Sequence, residues 1–167
     1  MNSKNKSAKT QLRWLESGED FPPVIEAMGQ DSLYPGLLAA GGLLDTATLL
    51  NAYSNGIFPW FSEGQPVLWW STDPRMVLQV ADFKLHQSFK KTLKKFMSDQ
   101  HGAAKCEIRI DSNFEDVIRT CASKPRAGQG GTWIVPEMVD AYTALHRAGY
   151  VHSVETWINV YLVGGLY

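Results

Sequence analysis

The residue types that could bind a ligand are concentrated in one aromatic segment. Residues 53–70 carry six aromatic side chains, namely Tyr53, Phe58, Trp60, Phe61, Trp69 and Trp70. Flat, polarisable rings stack on nucleobases for about 1–3 kcal/mol per base. Prolines 59, 66 and 74 restrict the backbone that carries them. Because tryptophan is also common where apolar surfaces pack together, the segment predicts either a stacking site or a packing seam between two subdomains.

A second candidate is a lysine-rich segment at residues 85–97. Apolar residues recur there at helical spacing, which predicts an amphipathic helix, and no acid lies between Asp82 and Asp99. Like charges at i,i+4 destabilise an isolated helix by a few tenths of a kcal/mol, so uncompensated lysines favour an anionic partner such as a phosphate backbone. A solvated face is the alternative. The lysines opposite the apolar stripe are Lys90, Lys91, Lys94 and Lys95.

Candidate polar site residues lie near the end of the chain. Ser153 and Glu155 alternate on a predicted strand, where the carboxylate could bind an ammonium group or accept a proton. A cross-strand pair explains the same residues equally well. Gly164 and Gly165, inside the next predicted strand, indicate a bulge or a close approach of the backbone to a ligand. The four histidines show no metal-ligand spacing, and no nucleophile–base arrangement can be placed.

Composition limits the class of protein that carries these residues. The chain has 167 residues, 44% hydrophobic and 20% charged, with a net charge of −1, which is typical of a globular protein and excludes wholesale disorder. Two cysteines suit a reducing compartment. The polar, basic N-terminus lacks the apolar stretch of a secretory signal, and no apolar run is long enough to span a membrane. We expect a cytoplasmic protein that binds no membrane and contacts nucleic acid only through a local patch.

The elements that must position these residues follow from periodicity and capping signals. Residues 14–40 predict an irregular entry, and 126–131 a glycine-rich link. Asp45 is the expected cap of the first helix, and Asp111 or Ser112 that of the third. From residue 105 onward the predicted order is β-α-α-β-β, which indicates an α+β fold. Helices are predicted at 46–54, 85–97, 114–121 and 136–148, and strands at 76–80, 106–110, 151–157 and 159–166.

The final residues, VYLVGGLY, predict an apolar strand with nothing after it. An uncovered strand edge invites pairing with other chains. We therefore expect the chain to be a fragment or a truncated product of something longer.

Several motifs together resemble one protein family. GIFPWF (56–61) followed by LWWSTDPR (68–75) resembles the signature of bacterial leucyl/phenylalanyl-tRNA–protein transferases. GLLAAGG (36–42), GTWI (131–134), AYTALHRAGYVHSVETW (141–157) and LVGGLY (162–167) fit the same family in the same order. The resemblance covers nearly all of residues 30–167. It implies transfer of leucine or phenylalanine from charged tRNA to proteins that begin with Arg or Lys, in the bacterial N-degron pathway, with neither metal nor cofactor.

The resemblance also implies a domain organisation and roles for particular residues. The polar, basic composition of the first residues predicts a disordered tail (1–13), which would precede a small N-terminal domain (14–80) and an acetyltransferase-like (GNAT) domain (81–167). Trp60 and Trp133 look like the aromatics that hold the 3′-terminal adenosine of tRNA. The four lysines would contact tRNA phosphates. Leu166 stands where relatives carry a Met that lines the aminoacyl pocket, and Leu keeps that wall apolar.

The resemblance implies further residues after Tyr167, including the Asp-containing segment proposed to activate the attacking amine. The GNAT domain is therefore expected to be incomplete, no catalytic residue is assigned, and we expect the chain to be inactive by itself. Two alternatives remain. An acetyl-CoA-dependent GNAT enzyme would need a glycine loop at a helix start, which the sequence does not show. A non-catalytic tRNA- or RNA-binding module would need only the aromatic segment and the lysines.

Overall fold

A computed structural model describes residues 12–98, 105–124 and 132–167. The chain divides between Arg75 and Met76 into two compact units, called here the first and the second unit. The sequence-based boundary was placed between residues 80 and 81. The predicted tail (1–13) lies almost wholly, and the glycine-rich link wholly, outside the described residues.

The first unit is a four-stranded sheet with one α-helix. Strand β2 pairs in parallel with β1 and antiparallel with β4, and β3 pairs antiparallel with β4, giving the order β1-β2-β4-β3. Every residue of β2 is buried because the strand is internal. The elements are β1 (Arg13–Leu15), a 3-10 helix (Val24–Glu26), β2 (Leu37–Gly41), α1 (Thr46–Ser54), β3 (Phe58–Pro59) and β4 (Leu68–Trp70).

The expectation of an irregular entry at 14–40 is wrong in part, because the stretch contains most of β1 and nearly all of β2. Strand β2 shows no alternation of polar and apolar residues, since both of its faces are covered, and so it lacks the pattern by which a half-exposed strand is recognised. Gly41, at the end of β2, has a φ of +85°, and a Cβ there would lie 2.7 Å from the Leu15 carbonyl oxygen. A residue with a side chain would therefore separate β1 from β2.

Helix α1 begins and ends where the sequence predicts. The Asp45 carboxylate accepts a hydrogen bond from the Thr48 backbone N–H at 2.7 Å, which satisfies one of the unpaired donors at the helix start. Asn55 is the C-cap, and Gly56 follows with a φ of +71°. The prediction of a helix at 46–54 is confirmed.

The second unit is an α+β assembly with a three-stranded antiparallel sheet of order β5-β6-β7. The predicted order β-α-α-β-β is confirmed, and Asn159, with a φ of +56°, lies between β6 and β7 as expected for the turn of the hairpin. The elements are a 3-10 helix (Val80–Asp82), α2 (Gln87–Ser98), β5 (Cys106–Ile110), α3 (Phe114–Ser123), α4 (Pro136–Arg147), β6 (Val154–Ile158) and β7 (Tyr161–Leu166).

Two predictions for the second unit are wrong. The predicted strand at 76–80 is absent: none of the described strands pairs with these residues, Val80 begins a 3-10 helix, and the apolar side chains of the stretch are exposed. The N-cap of α3 is Asn113, not Asp111 or Ser112. The Asn113 side chain makes no capping hydrogen bond. Asp111 adopts a φ of +55°, and its carboxylate accepts from the Ser153 backbone N–H at 2.8 Å instead.

The strand register assigns side chains to two faces of the β5-β6-β7 sheet. Opposed residues in an antiparallel pair point to the same side. Glu155 is opposed by Arg109 on β5 and Gly165 on β7, and α3 packs on this covered face. The other, open face carries the buried Cys106 at one end and apolar side chains that are each at least a third exposed: Ile108, Ile110, Val154, Ile158 and Leu166.

Candidate functional site

The β3–β4 hairpin fixes the backbone on which Trp60 stands. The Trp60 N–H donates to the Leu68 carbonyl at 2.9 Å, directly after β3. The Trp70 indole N–H donates to the Trp60 carbonyl at 2.7 Å, and the two ring centroids lie 5.5 Å apart with the planes tilted by 50°. The Trp60 side chain is 52% exposed. An indole held in this way presents an accessible face on which a planar ligand could stack.

Trp69, the neighbour of Trp70, has the opposite environment. It is fully buried, its indole N–H donates to the Gly41 carbonyl at 2.8 Å, and the Phe21 ring packs edge-on at 4.8 Å. Phe61 is also buried. The aromatic segment therefore contains some side chains that pack in the core of the first unit and others that are exposed, such as Trp60.

Arg75 contacts residues near the start of the aromatic segment. Its guanidinium donates to the Gly56 carbonyl at 2.7 Å and lies over the Phe58 ring, 5.4 Å from the centroid. These two contacts join Arg75, five residues after the end of β4, to the residues around β3.

Trp133 belongs to the second unit and lies just before α4. Its side chain is 37% exposed, and its carbonyl accepts from the Val135 N–H at 3.1 Å. Gly131 of the GTWI motif is outside the described residues. Trp133 is accessible to a ligand, and its role in binding adenosine stays a prediction.

The four lysines of α2 are all exposed. No carboxylate among the residues that the structure describes lies within ion-pair distance of any of them. The apolar stripe on the other side of α2 is only partly covered, since Phe89 and Leu93 are exposed. None of the described residues neutralises the charge on this face.

Glu155 is the centre of a buried polar cluster that joins β6 to the start of α3. The carboxylate accepts from the Asn113 backbone N–H at 2.7 Å, the Ser153 hydroxyl at 2.8 Å and the Trp157 indole N–H at 2.9 Å. The Ser112 hydroxyl donates to it as well. The bond from Asn113 satisfies a donor at the N-terminus of α3 in place of a side-chain cap. We call these five residues the Glu155 cluster.

The cluster determines the ionisation of its carboxylate. Burial by itself would raise the pKa of Glu155, but the hydrogen bonds from Ser112, Asn113, Trp157 and Ser153 together outweigh it and lower the pKa to about 2. Glu155 is therefore ionised at pH 7, with four donors already bound. This geometry links secondary-structure elements, and a direct contact of Ser153 or Glu155 with a substrate stays a prediction.

Asp111 fixes the turn beside this cluster. Besides the Ser153 N–H, its carboxylate accepts from the His152 Nδ1–H at 2.7 Å, and this bond, followed by that from Ser153, lowers the pKa of Asp111. Sequence reasoning missed this role and the two partners of Glu155 that precede α3, Ser112 and Asn113. The adjacent serine and asparagine at 112–113, just before a helix, were the signal that could have indicated them.

Leu166 is exposed on the open face of the second unit's sheet, opposite Val154. Within residues 12–98, 105–124 and 132–167, no group of three or more His, Cys, Asp or Glu side chains is arranged to hold a metal ion. Over the same residues, no helix has both the length and the apolar character needed to cross a membrane.

Comparison with known proteins supports the resemblance found in the sequence. Residues 77–167 match the model of the leucyl/phenylalanyl-tRNA protein transferase family, and residues 42–73 match its N-terminal domain. Proteins named leucyl/phenylalanyl-tRNA–protein transferase are 64% identical over 154 residues in Polaromonas sp. and 61% identical over 156 residues in Albidiferax ferrireducens. A third, from Burkholderia vietnamiensis, is 53% identical over 154 residues.

These matches cover 92–93% of this chain but only 59–60% of each relative. The chain therefore spans about three fifths of the length of the relatives it matches. Because one family model covers more than half of the chain, the chain belongs to the leucyl/phenylalanyl-tRNA–protein transferase family.

Proposed function

We propose that this chain serves aminoacyl transfer from Leu-tRNA or Phe-tRNA to the N-terminal Arg or Lys of acceptor proteins. The observation that carries the proposal is the half-exposed indole of Trp60, held on a hairpin within the family's N-terminal match. The exposed lysines of α2, within the family's main match, support it. The proposed setting is the cytoplasm and the bacterial N-degron pathway, which generates destabilising N-termini.

The proposed reaction is an aminolysis of an ester. The α-amine of the acceptor attacks the carbonyl carbon of the aminoacyl ester, a C–N bond forms, and the C–O bond to the 3′-terminal adenosine breaks. The amine loses a proton and the tRNA hydroxyl gains one, so the step balances without metal or cofactor. The ester supplies the driving force, which leaves the protein to position two substrates, promote proton transfer and stabilise the oxyanion. We assign no catalytic acid or base.

The proposed roles of the site residues follow their chemistry. Trp60 and Trp133 stack on or beside the terminal adenosine, and the four lysines of α2 bind phosphates of the tRNA. Leu166 lines the pocket for the transferred side chain, while Ser153 and Glu155 are the candidate polar residues. Around them we propose a small N-terminal domain at 14–80 and a partial GNAT-like fold at 81–167.

Replacement of Trp60 tests the stacking role. We expect Trp60→Ala to weaken binding of a non-hydrolysable phenylalanyl-adenosine analogue by about 10-fold, since stacking contributes about 1–3 kcal/mol. Binding of whole uncharged tRNA at low salt should change little, because it depends on charge. Calorimetric titration measures both, and Trp14→Ala is the matched control because Trp14 is an exposed indole on β1 of the same unit. Equal losses in the two assays would contradict the stacking role.

Replacement of the lysines tests the phosphate role separately. A variant with Gln at 90, 91, 94 and 95 should bind tRNA more weakly and with a shallower dependence of affinity on salt. The analogue carries no phosphate, so its affinity should remain that of the parent chain. An unchanged salt dependence of tRNA binding would remove α2 from the proposed interface.

A third experiment tests the acetyltransferase alternative. Thermal stabilisation of the chain by acetyl-CoA, and none by the phenylalanyl-adenosine analogue, would favour that alternative.

A further inference from the structure

The structure links Trp60 to Trp70 at two independent points. The Trp70 indole N–H binds the Trp60 carbonyl at 2.7 Å, and the Trp70 ring lies against the Trp60 ring with a centroid separation of 5.5 Å. The first contact constrains the Trp60 main chain, and the second restricts the rotation of its side chain. Together with the bond from the Trp60 N–H to Leu68, they leave an exposed ring on a backbone fixed at both its N–H and its carbonyl.

An exposed aromatic side chain that is free to rotate loses that freedom when a ligand stacks on it. The cost is about 0.5–1.5 kcal/mol for each side chain immobilised on binding, and a ring that is already fixed avoids most of it. Tryptophan is suited to fixing such a ring because its indole combines a large apolar surface with a donor. Phenylalanine would supply the ring without the N–H.

Trp69, the neighbour of Trp70 on β4, shows that a tryptophan in this hairpin need not contact Trp60. Trp69 makes the same kind of bond, from its indole N–H to the Gly41 carbonyl, but does so inside the core. Trp69 is opposed by Pro59 and Trp70 by Phe58, and successive residues of a strand point to opposite faces. One indole of the pair is therefore used for packing, and the other contacts the exposed ring.

We propose that Trp70 is a positioning residue that holds the Trp60 indole in the orientation in which the terminal adenosine stacks. That the ligand is the terminal adenosine of tRNA rests on the proposed function. The constraint on Trp60 exists without any ligand, so the positioning role of Trp70 and the proposed function can be tested separately.

The experiment compares Trp70→Phe with Trp69→Phe in the chain labelled with 5-fluorotryptophan. The fluorine signal of Trp60 is assigned by its loss in Trp60→Phe. Without ligand, Trp70→Phe should shift that signal because the bond to the Trp60 carbonyl is lost, and Trp70→Leu, which removes the ring as well, should also sharpen it toward the signal of a freely rotating indole. Trp70→Phe should also weaken binding of the phenylalanyl-adenosine analogue by about 3- to 10-fold, as expected for the loss of one hydrogen bond. Trp70→Leu should weaken it further.

The control should behave in the opposite way. Trp69→Phe should lower the midpoint of urea unfolding, yet leave the Trp60 signal and the affinity of the folded protein unchanged. An unaltered Trp60 signal in both Trp70 variants would overturn the proposal, as would losses of affinity in Trp69→Phe equal to those in Trp70→Phe. Failure of the parent chain to bind the analogue would contradict the proposed function instead, and the fluorine signal would still decide the role of Trp70.

Discussion

The two faces of the β5-β6-β7 sheet are built from the same three strands but have reversed chemistry. The covered face, beneath α3, carries Glu155 with its ring of donors, whereas the open face carries isoleucine, valine and leucine. Hydrophobic pattern alone would turn the apolar residues toward the helices. The difference teaches that in this unit the hydrogen-bonded polar cluster, and not the most apolar side chains, marks the face on which α3 packs.

The largest expected effect comes from removing the charge at the centre of the covered face. We expect Glu155→Gln to destabilise the second unit by about 3 kcal/mol, because an amide presents its own donors to groups that donate, and buried donors lose their acceptor. Urea unfolding followed by circular dichroism measures the change. Glu107→Gln, on the same strand face but paired with exposed basic side chains, should cost clearly less. Similar losses in both variants would contradict the role of the Glu155 cluster.

A change of pH should reproduce part of the same effect. The pKa of Glu155 is about 2 in the folded chain, below its ordinary value of 4.5, so the ionised carboxylate stabilises the fold. That contribution is complete above pH 4.5 and is lost as the pH falls through about 2. Urea unfolding at pH 7, 4 and 3 should show this decline in the parent chain. Glu155→Gln should decline less over the same interval, and parallel curves for the two proteins would refute the assignment.

A pair of neighbouring glycines provides a smaller and more local comparison. A Cβ at Gly165 would lie 2.8 Å from a methyl group of Val117 on α3, whereas one at Gly164 would lie 3.9 Å from Thr156 on the open face. We expect Gly165→Ala to cost about 1–3 kcal/mol of stability through overpacking. Gly164→Ala should stay within about 0.5 kcal/mol. The midpoint of chemical unfolding distinguishes them, and the reverse order would mean that α3 packs elsewhere.

The smallest expected effect comes from the same substitution, isoleucine to valine, made once on α3 and once on the open face of the sheet. Ile118 of α3 is fully buried, while Ile110 of β5 is exposed on the open face. Ile118→Val should cost about 0.5–1.5 kcal/mol, the usual loss for one buried methylene. Ile110→Val should leave the free energy of unfolding within about 0.5 kcal/mol of the parent. A loss at Ile110 as large as that at Ile118 would show that the open face is buried in solution.

Elements that depend on local signals could be predicted, and those that depend on distant partners could not. Asp45 and Pro136 mark the starts of α1 and α4 because caps and first-turn prolines act within a few residues. Strands β1, β3 and β4 have only two or three residues each, so they offer no periodicity, and their partners come from elsewhere in the chain.

The same limit applies to the candidate site. Trp60, Trp69 and Trp70 are one residue type, and only the register of β3 on β4 decides which is exposed, which is buried and which contacts Trp60. Asp111 was expected to cap α3 because its position in the sequence suits that role. The distant Ser153 N–H and His152 occupy its carboxylate instead.

The separation of the two sheets along the chain has a consequence during translation. All strands of the first sheet lie within residues 13–70, so their pairing needs no strand that is synthesised later. Strand β5 must instead wait for β6 while residues 111–153 are added, which takes roughly 2–9 s at the usual speed of a ribosome. The nascent polypeptide can therefore complete the Trp60–Trp70 pair early, while β5 still has unpaired backbone groups to which a chaperone can bind.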